Sequence, residues 1–252
     1  MSLSRAIIIA AGMGRRLEHH TEERPKCLVE VAGKPILHHQ LEAYRANHVD
    51  DFHIVRGYLA ERIVVPGATS YLNSDFRQNN ILFSLMHAEP AMTGPFLCSY
   101  SDIVFGEDVV ASVLAGHGDI TLVVDADWAS AYEGRNDHPV AQAELTEMDG
   151  SKVLRVGKQV GPENALGEFI GLAHFTQRGC DALLEAWHDL SERLSPDEPF
   201  HAAATFRQAY LTDMLLELID RGVHIDAAVI HGGWREIDTV EDLERVNQAW
   251  SR

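Results

Sequence analysis

Cysteine is scarce in this sequence. Cys27, Cys98 and Cys180 lie far apart, with no C-x-x-C and no spacing of metal-binding thiols, which excludes a disulfide scaffold and a zinc ribbon. Cations are few as well: 21 Lys and Arg face 38 Asp and Glu, a net charge of −17. Such a chain repels the phosphates of nucleic acid and of anionic membranes. A small anionic ligand would need local cations or a metal. No apolar run reaches the length of a membrane span, and a polar Gly-Arg segment arrives by Gly14, too early for a signal-peptide core. A cytoplasmic chain that contacts neither nucleic acid nor membrane is therefore expected. Two common phosphate loops are missing too. No G-x-x-x-x-G-K-[ST] occurs, and Leu17 stands where a dinucleotide fingerprint needs Gly or Ala.

What is present is an α/β rhythm. At 252 residues and 46% hydrophobic content, the chain can bury the core of one domain. The apolar run 6–10 reads as a buried parallel strand, and 52–55, 96–100 and 120–124 as further strands. Helices are expected over 35–47, with Ile36, Leu37, Leu41 and Tyr44 inward, and over 81–88 and 108–114. Beyond Asp125 the spacing predicts strands at 140–145, 153–156 and 168–175, helices at 179–194 and 203–220, a strand at 223–230, an extended 234–237 and a last helix from Val240. The expected fold is a Rossmann-like, mostly parallel sheet flanked by helices, with a small C-terminal acceptor lobe. It is read as a single domain over 1–252, whose halves 1–125 and 126–252 share one sheet.

The first strand runs into Ala10-Ala11-Gly12-Met13-Gly14-Arg15-Arg16-Leu17, and Lys26 follows in Arg24-Pro25-Lys26-Cys27-Leu28. Glycines allow close backbone approach to a ligand, and clustered cations in an acidic chain suit phosphate chemistry. Composition leaves a second reading open, a glycine turn followed by a solvated basic loop.

The two-part stretch A-A-G-M-G-R-R-L … R-P-K-C-L-V-E-V-A-G-K-P-I-L resembles the signature of sugar-phosphate nucleotidyltransferases. The resemblance implies that Ala10, Ala11, Gly12, Gly14 and Arg15 grip an NTP triphosphate, and that Lys26 stabilises the α-phosphate during transfer. It also implies two distant carboxylates on Mg²⁺, matched here by Asp102 after the 96–100 strand and by Asp238 before the last helix. The plainer alternative for each aspartate is a helix N-cap. Glu236 is expected to face the other way on its strand. The 14 histidines lack ligand spacing and are expected to hold no metal.

The segment 71–85 lacks the Gln-Pro-x-Gly turn of UTP and dTTP enzymes. It is similar instead to the cytidylyltransferases of phosphocholine and 2-aminoethylphosphonate, as are Arg56-Gly57-Tyr58 and Gly167-Glu168-Phe169-Ile170-Gly171-Leu172. By that resemblance CTP is the nucleotide, Tyr58, Asn80 and Ser84 hold the cytidine, and Lys158 clamps a phosphonate or phosphate acceptor. A packed tyrosine and two capping side chains remain the alternative for the first three. An amine on the acceptor would need a partner, for which Asp125, Asp127, Glu133, Glu168 and Trp128 are candidates. A quaternary amine prefers an aromatic cage and a primary amine a carboxylate; the sequence leaves both open. A homodimer is left open too.

The expected reaction is in-line attack of the acceptor anion on the α-phosphorus of CTP with release of pyrophosphate. The acceptor is already ionised near neutral pH, so no general base is assigned. Three alternatives stand beside it: a sugar-1-phosphate enzyme using UTP or dTTP, a non-catalytic nucleotide-binding regulator, and a glycosyltransferase using Asp125-Ala126-Asp127 as a D-x-D.

Overall fold

The structure is a computed structural model that describes residues 5–249. Strand β1 (Arg5–Ala10) alternates its side chains between the two faces of a sheet. Ile7 and Ile9 enter one apolar cluster; Ala6, Ile8 and Ala10 enter another on the opposite face. Both faces are covered, which is why the run reads as continuously hydrophobic.

A short hairpin, β2 (Glu30–Val31) and β3 (Lys34–Pro35), leads into α1 (Ile36–Ala46). The four inward residues expected on α1 are all buried. Gln40 is buried among them, and its amide donates to the carbonyls of Tyr100 and Ile103 at 2.7 Å each. Strands β4 (Asp51–Arg56) and β5 (Thr69–Leu72), helix α2 (Ile81–Met86), strands β6 (Phe96–Tyr100) and β7 (Ile103–Phe105), helix α3 (Glu107–Leu114) and strand β8 (Ile120–Asp125) follow. After the short α4 (Trp128–Ala131) come β9 (Leu145–Asp149), β10 (Lys152–Gly157) and β11 (Gly167–Phe175). Helices α5 (Gln177–Arg193) and α6 (Leu211–Asp220), strands β12 (Ile225–Ile230) and β13 (Trp234–Glu236), and α7 (Val240–Ala249) close the chain.

The main sheet runs β5-β4-β1-β6-β11-β8-β12-β10-β9, and β9 also pairs with β11. Strands β5, β4, β1 and β6 are mutually parallel, as are β8 and β12. Strand β11 enters antiparallel between β6 and β8, a reversal that the local pattern does not encode. Its register shifts around Gly171, at φ 83. A Cβ on Gly171 would stand 2.4 Å from the Tyr100 ring, so only glycine lets that ring close in.

Two expected elements are corrected. The run 140–145 is not one strand: a 3-10 turn, Val140–Gln142, follows Pro139, and β9 starts only at Leu145. The expected helix over 203–220 begins only at Leu211, where Tyr210 and Asp213 form a capping box. The preceding residues form a bridge from Phe200 to Ala203 and a 3-10 turn, Phe206–Gln208. Their carbonyls are used elsewhere, by the start of α2: Asn80 N donates to Arg207 O and Leu82 N to Ala209 O.

A small apolar cluster of Leu17, Val29, Val31, Ile36, Val104, Ile237, Leu243 and Val246 draws the glycine-rich loop, β7 and α7 together. This brings the loop after β1 and the last helix to one place. No helix among the described residues is long and apolar enough to cross a membrane.

Candidate active site

The loop after β1 turns at Gly14, whose φ of 61 lies in the left-handed region. A Cβ there would also stand 2.9 Å from Lys26 Cβ. The turn is braced by Thr21, whose hydroxyl donates to Gly14 O at 3.0 Å. Behind it, Gly57 packs so close that a Cβ would meet Ala11 O at 2.7 Å.

Lys26 is buried, and its Nζ lies 2.7 Å from Asp102 Oδ2 and 2.6 Å from Asp238 Oδ1. The secondary structure brings the aspartates together. Strands β7 and β13 pair antiparallel, Ile103 opposite Glu236, and Ile237 N donates to Asp102 O at 2.8 Å. Asp238 also pairs with Arg16. Asp242 fixes the turn by accepting from the amides of Asp238 and Thr239 at 3.1 and 2.9 Å. Asp242 does more of the helix-capping work than Asp238, which leaves the Asp238 carboxylate for the cleft.

Asp102 Oδ1 is buried with no hydrogen-bond partner among the described residues. A buried carboxylate oxygen left unpaired is costly. With Asp238 it makes an oxygen-only donor set, which fits a hard divalent cation. The residues present therefore fit such an ion.

The placement of Glu236 differs from expectation. Glu236 does not face away: it lines the same cleft, and His138 Nδ1 stands 3.6 Å from Glu236 Oε2 and 3.5 Å from Asp238 Oδ2. Arg135 already serves this pair, bonding Glu236 at 2.9 Å and donating to His138 Nδ1 at 3.0 Å. Burial holds the His138 imidazole below its ordinary pKa. A neutral ring that accepts from Arg135 carries its proton on Nε2.

Two cavities meet at this cluster. One, of ≈ 310 Å³, is lined by Ala11, Gly12, Gly14, Arg15, Lys26, Asn80 and Ser84. Ala10 lies just behind it in the core. Asn80 caps α2 by accepting from Ile81 N at 2.9 Å, and Ser84 Oγ accepts from Asn73 at 2.9 Å. Tyr58 is not brought to this cavity. Its hydroxyl donates to the carbonyls of Thr21 and Glu22, which makes it a brace for the loop.

The other cavity, of ≈ 280 Å³, is lined by Tyr100, Glu144, Lys158, Glu168 and Tyr210. Asp102, Asp238 and Arg16 face both cavities. Lys158 Nζ stands 4.3 Å from the centre of the Tyr210 ring. Glu144 accepts from Tyr100 OH at 3.0 Å and from Thr212 Oγ1 at 3.3 Å. Glu168 Oε1 accepts from Tyr132 OH at 2.6 Å. Burial, outweighing the nearby Lys158 charge, pushes Glu144 up to about 7; burial, reinforced by Glu236, pushes Glu168 up to about 8.

Asp125 and Asp127 lie elsewhere, on a third cavity. The end of β8 turns the Asp125 carboxylate onto Asp127 N, Gly232 N and Trp234 Nε1, at 3.0, 3.0 and 2.7 Å. These three donors leave it little capacity for a ligand, and Asp127 is exposed beside His231. Trp128 packs against Tyr132 in a separate apolar cluster. Glu144, His138 and Tyr210 have no local pattern that marks them in the sequence. Only their meeting at the cleft reveals them.

Residues 6–192 match the MobA-like NTP transferase domain, and the chain belongs to that family. It is a nucleotidyltransferase, and its mixed α/β architecture is that of the class. Among curated proteins, CTP:phosphoglutamine cytidylyltransferase of Campylobacter jejuni is 27% identical over 252 residues, covering 95% of this chain and 97% of that protein. Glucose-1-phosphate thymidylyltransferase of Streptomyces griseus is 28% identical over 252 residues, covering 97% of this chain and 65% of that protein. The solved structure of CTP:phosphocholine cytidylyltransferase from Streptococcus pneumoniae matches in fold with a TM-score of 0.73 at 20% identity. It covers 98% of this chain and 99% of that one.

Proposed function

We propose that this chain is a metal-dependent cytidylyltransferase that moves CMP from CTP to a small phosphonate or phosphate acceptor, with 2-aminoethylphosphonate the first to test. The observation that carries the reading is Lys26 held between Asp102 and Asp238 where the two cavities meet. One cavity has the glycine-rich loop and Arg15 for a triphosphate; the other has Lys158 for the acceptor anion. A sugar-1-phosphate enzyme is the second reading, since the Streptomyces griseus relative is a thymidylyltransferase. The cytidylyltransferase relative matches nearly end to end, and this favours CTP.

In this reading the divided chain works as two halves, 1–125 for the nucleotide and 126–252 for the acceptor and for Asp238. The amides around Gly12 and Gly14 and the Arg15 guanidinium hold the β- and γ-phosphates. Lys26 puts its charge against the α-phosphate, where negative charge moves toward the leaving pyrophosphate. Asp102 and Asp238 hold a divalent cation, magnesium for choice, which neutralises phosphate charge when bound. Lys158, set over Tyr210, orients the acceptor anion for in-line attack. The attacking oxygen needs no base, because a phosphate second pKa lies near roughly 6. Cys27, Cys98 and Cys180 are all buried and unpaired, in keeping with a reducing cytosol.

A pyrophosphate-release screen tests this: four NTPs against 2-aminoethylphosphonate, phosphocholine, phosphoglutamine and sugar 1-phosphates. Turnover with CTP and an amine-bearing acceptor supports the reading. Turnover confined to UTP or dTTP with a sugar 1-phosphate replaces it with the second.

A further inference from the structure

Glu144 and Glu168 are more than nine-tenths buried, and both line the cavity that also holds Lys158. Carboxylates taken out of water are normally paired with a cation. These two are not. Among the described residues, Glu144 is served only by the hydroxyls of Tyr100 and Thr212, and Glu168 only by Tyr132. All three partners are neutral donors, and Glu168 Oε2 has no partner at all among the described residues while its side chain lines the cavity. Burial outweighs the charge of Lys158 near Glu144 and of Arg135 near Glu168, which is why both groups are pushed up in pKa.

The fold invests in this arrangement. Gly171 admits the Tyr100 ring, which carries its hydroxyl to Glu144. Tyr132 comes from the segment after α4 to hold one oxygen of Glu168 and leave the other free. We infer that Glu144 and Glu168 together read a cationic group on the acceptor that carries N–H donors, a primary ammonium, and so determine acceptor specificity.

The same wall argues against a quaternary ammonium. Such a group has no N–H to give a carboxylate and prefers open aromatic faces. Two of the aromatic rings lining this cavity are already engaged. Lys158 occupies that of Tyr210, and the Tyr100 ring lies against Gly171 and edge-on to Phe169. A site built for N–H donors rejects an analogue that lacks them, because its buried acceptors are left unpaired.

This inference rests on the transferase reading for the identity of the acceptor's other end, so its test separates the two. Three ligands share one anion and differ at the far end: 2-aminoethylphosphonate, its N,N,N-trimethyl derivative and 2-hydroxyethylphosphonate. Their affinities are measured by calorimetry on the full chain with magnesium and a non-hydrolysable α,β-methylene CTP, and their turnover by pyrophosphate release with CTP. The amine should bind about tenfold or more tightly than either analogue. Glu144→Gln and Glu168→Gln should each erase most of that advantage and leave CTP affinity unchanged. Equal binding of the trimethyl or the hydroxyl compound by the unmodified protein overturns the inference, without recourse to any variant. If the amine binds first but no compound is cytidylylated, the ammonium site stands and the transferase reading fails. If transfer occurs without preference for the amine, the reaction stands and the ammonium site falls.

Discussion

The amide of Ile237 donates to the carbonyl of Asp102 at 2.8 Å. That one backbone bond makes neighbours of two aspartates far apart in the sequence, and Lys26 closes the triangle from a third segment. The geometry is set by paired strands and not by flexible loops, so each carboxylate can be neutralised without moving the other.

Asp102→Asn and Asp238→Asn should each lower kcat about a hundredfold or more, with the thermal midpoint moving by only a few degrees. Steady-state pyrophosphate release at limiting magnesium, beside a thermal scan, checks both halves. Activity near that of the unmodified protein in either variant would remove the carboxylate from the reaction.

Lys26→Ala should act mainly on kcat. A cation that matters most as charge moves to the leaving group is felt in the transition state more than in the ground state. The expected result is a fall of about a hundredfold in kcat with KM for CTP changing by about threefold or less. A change confined to KM would make Lys26 a ground-state contact.

Lys158→Ala should weaken the acceptor and spare the nucleotide. The lost charge-assisted hydrogen bond is worth about 1.5–3 kcal/mol, so kcat/KM for the acceptor should fall roughly ten- to a hundredfold. Calorimetry with CTP and magnesium alone should change little, because Lys158 lines only the second cavity. Equal losses for both ligands would instead place the lysine on the reacting phosphate.

Stability should carry the mark of the buried carboxyls. Glu168 is pushed up to about 8 and Glu144 to about 7, burial being the first cause in each. The folded chain therefore binds these protons more tightly than the unfolded chain. Their favourable contribution is full below the ordinary carboxylate range, near roughly pH 4.3, and is lost as pH rises through about 7 and 8. Glu168→Gln should raise the thermal midpoint relative to the unmodified protein by more at pH 9 than at pH 5. Thermal scans across that range decide it, and a pH-independent difference would contradict the assigned cause.

Much of this was legible in the sequence where a local pattern carries it. The glycine-rich turn, Lys26 and the strand-end aspartates come in short runs whose chemistry is tied to their neighbours. Residues whose role depends on distant partners were not legible. Glu144 lies inside the run 140–145 that reads as a strand, and only the 3-10 turn at Val140–Gln142 sets it just before β9, beside the cavity. Asp125-Ala126-Asp127 looks like a ligand pair, but the turn after β12 takes the Asp125 carboxylate for its own amide and for Trp234. The Ala-rich stretch before Leu211 favours a helix locally, yet its carbonyls are given to α2. Local propensity does not register such a tertiary demand.

The most direct test of the central claim is to identify the product by phosphorus NMR. CTP, magnesium and 2-aminoethylphosphonate are incubated with the unmodified protein and, in parallel, with Asp102→Asn. The expected result is loss of the CTP signals, free pyrophosphate and a coupled phosphate–phosphonate pair from one new anhydride, with the variant leaving CTP intact. CTP that stays unchanged, or that goes to CMP and pyrophosphate with no coupled pair, would contradict it.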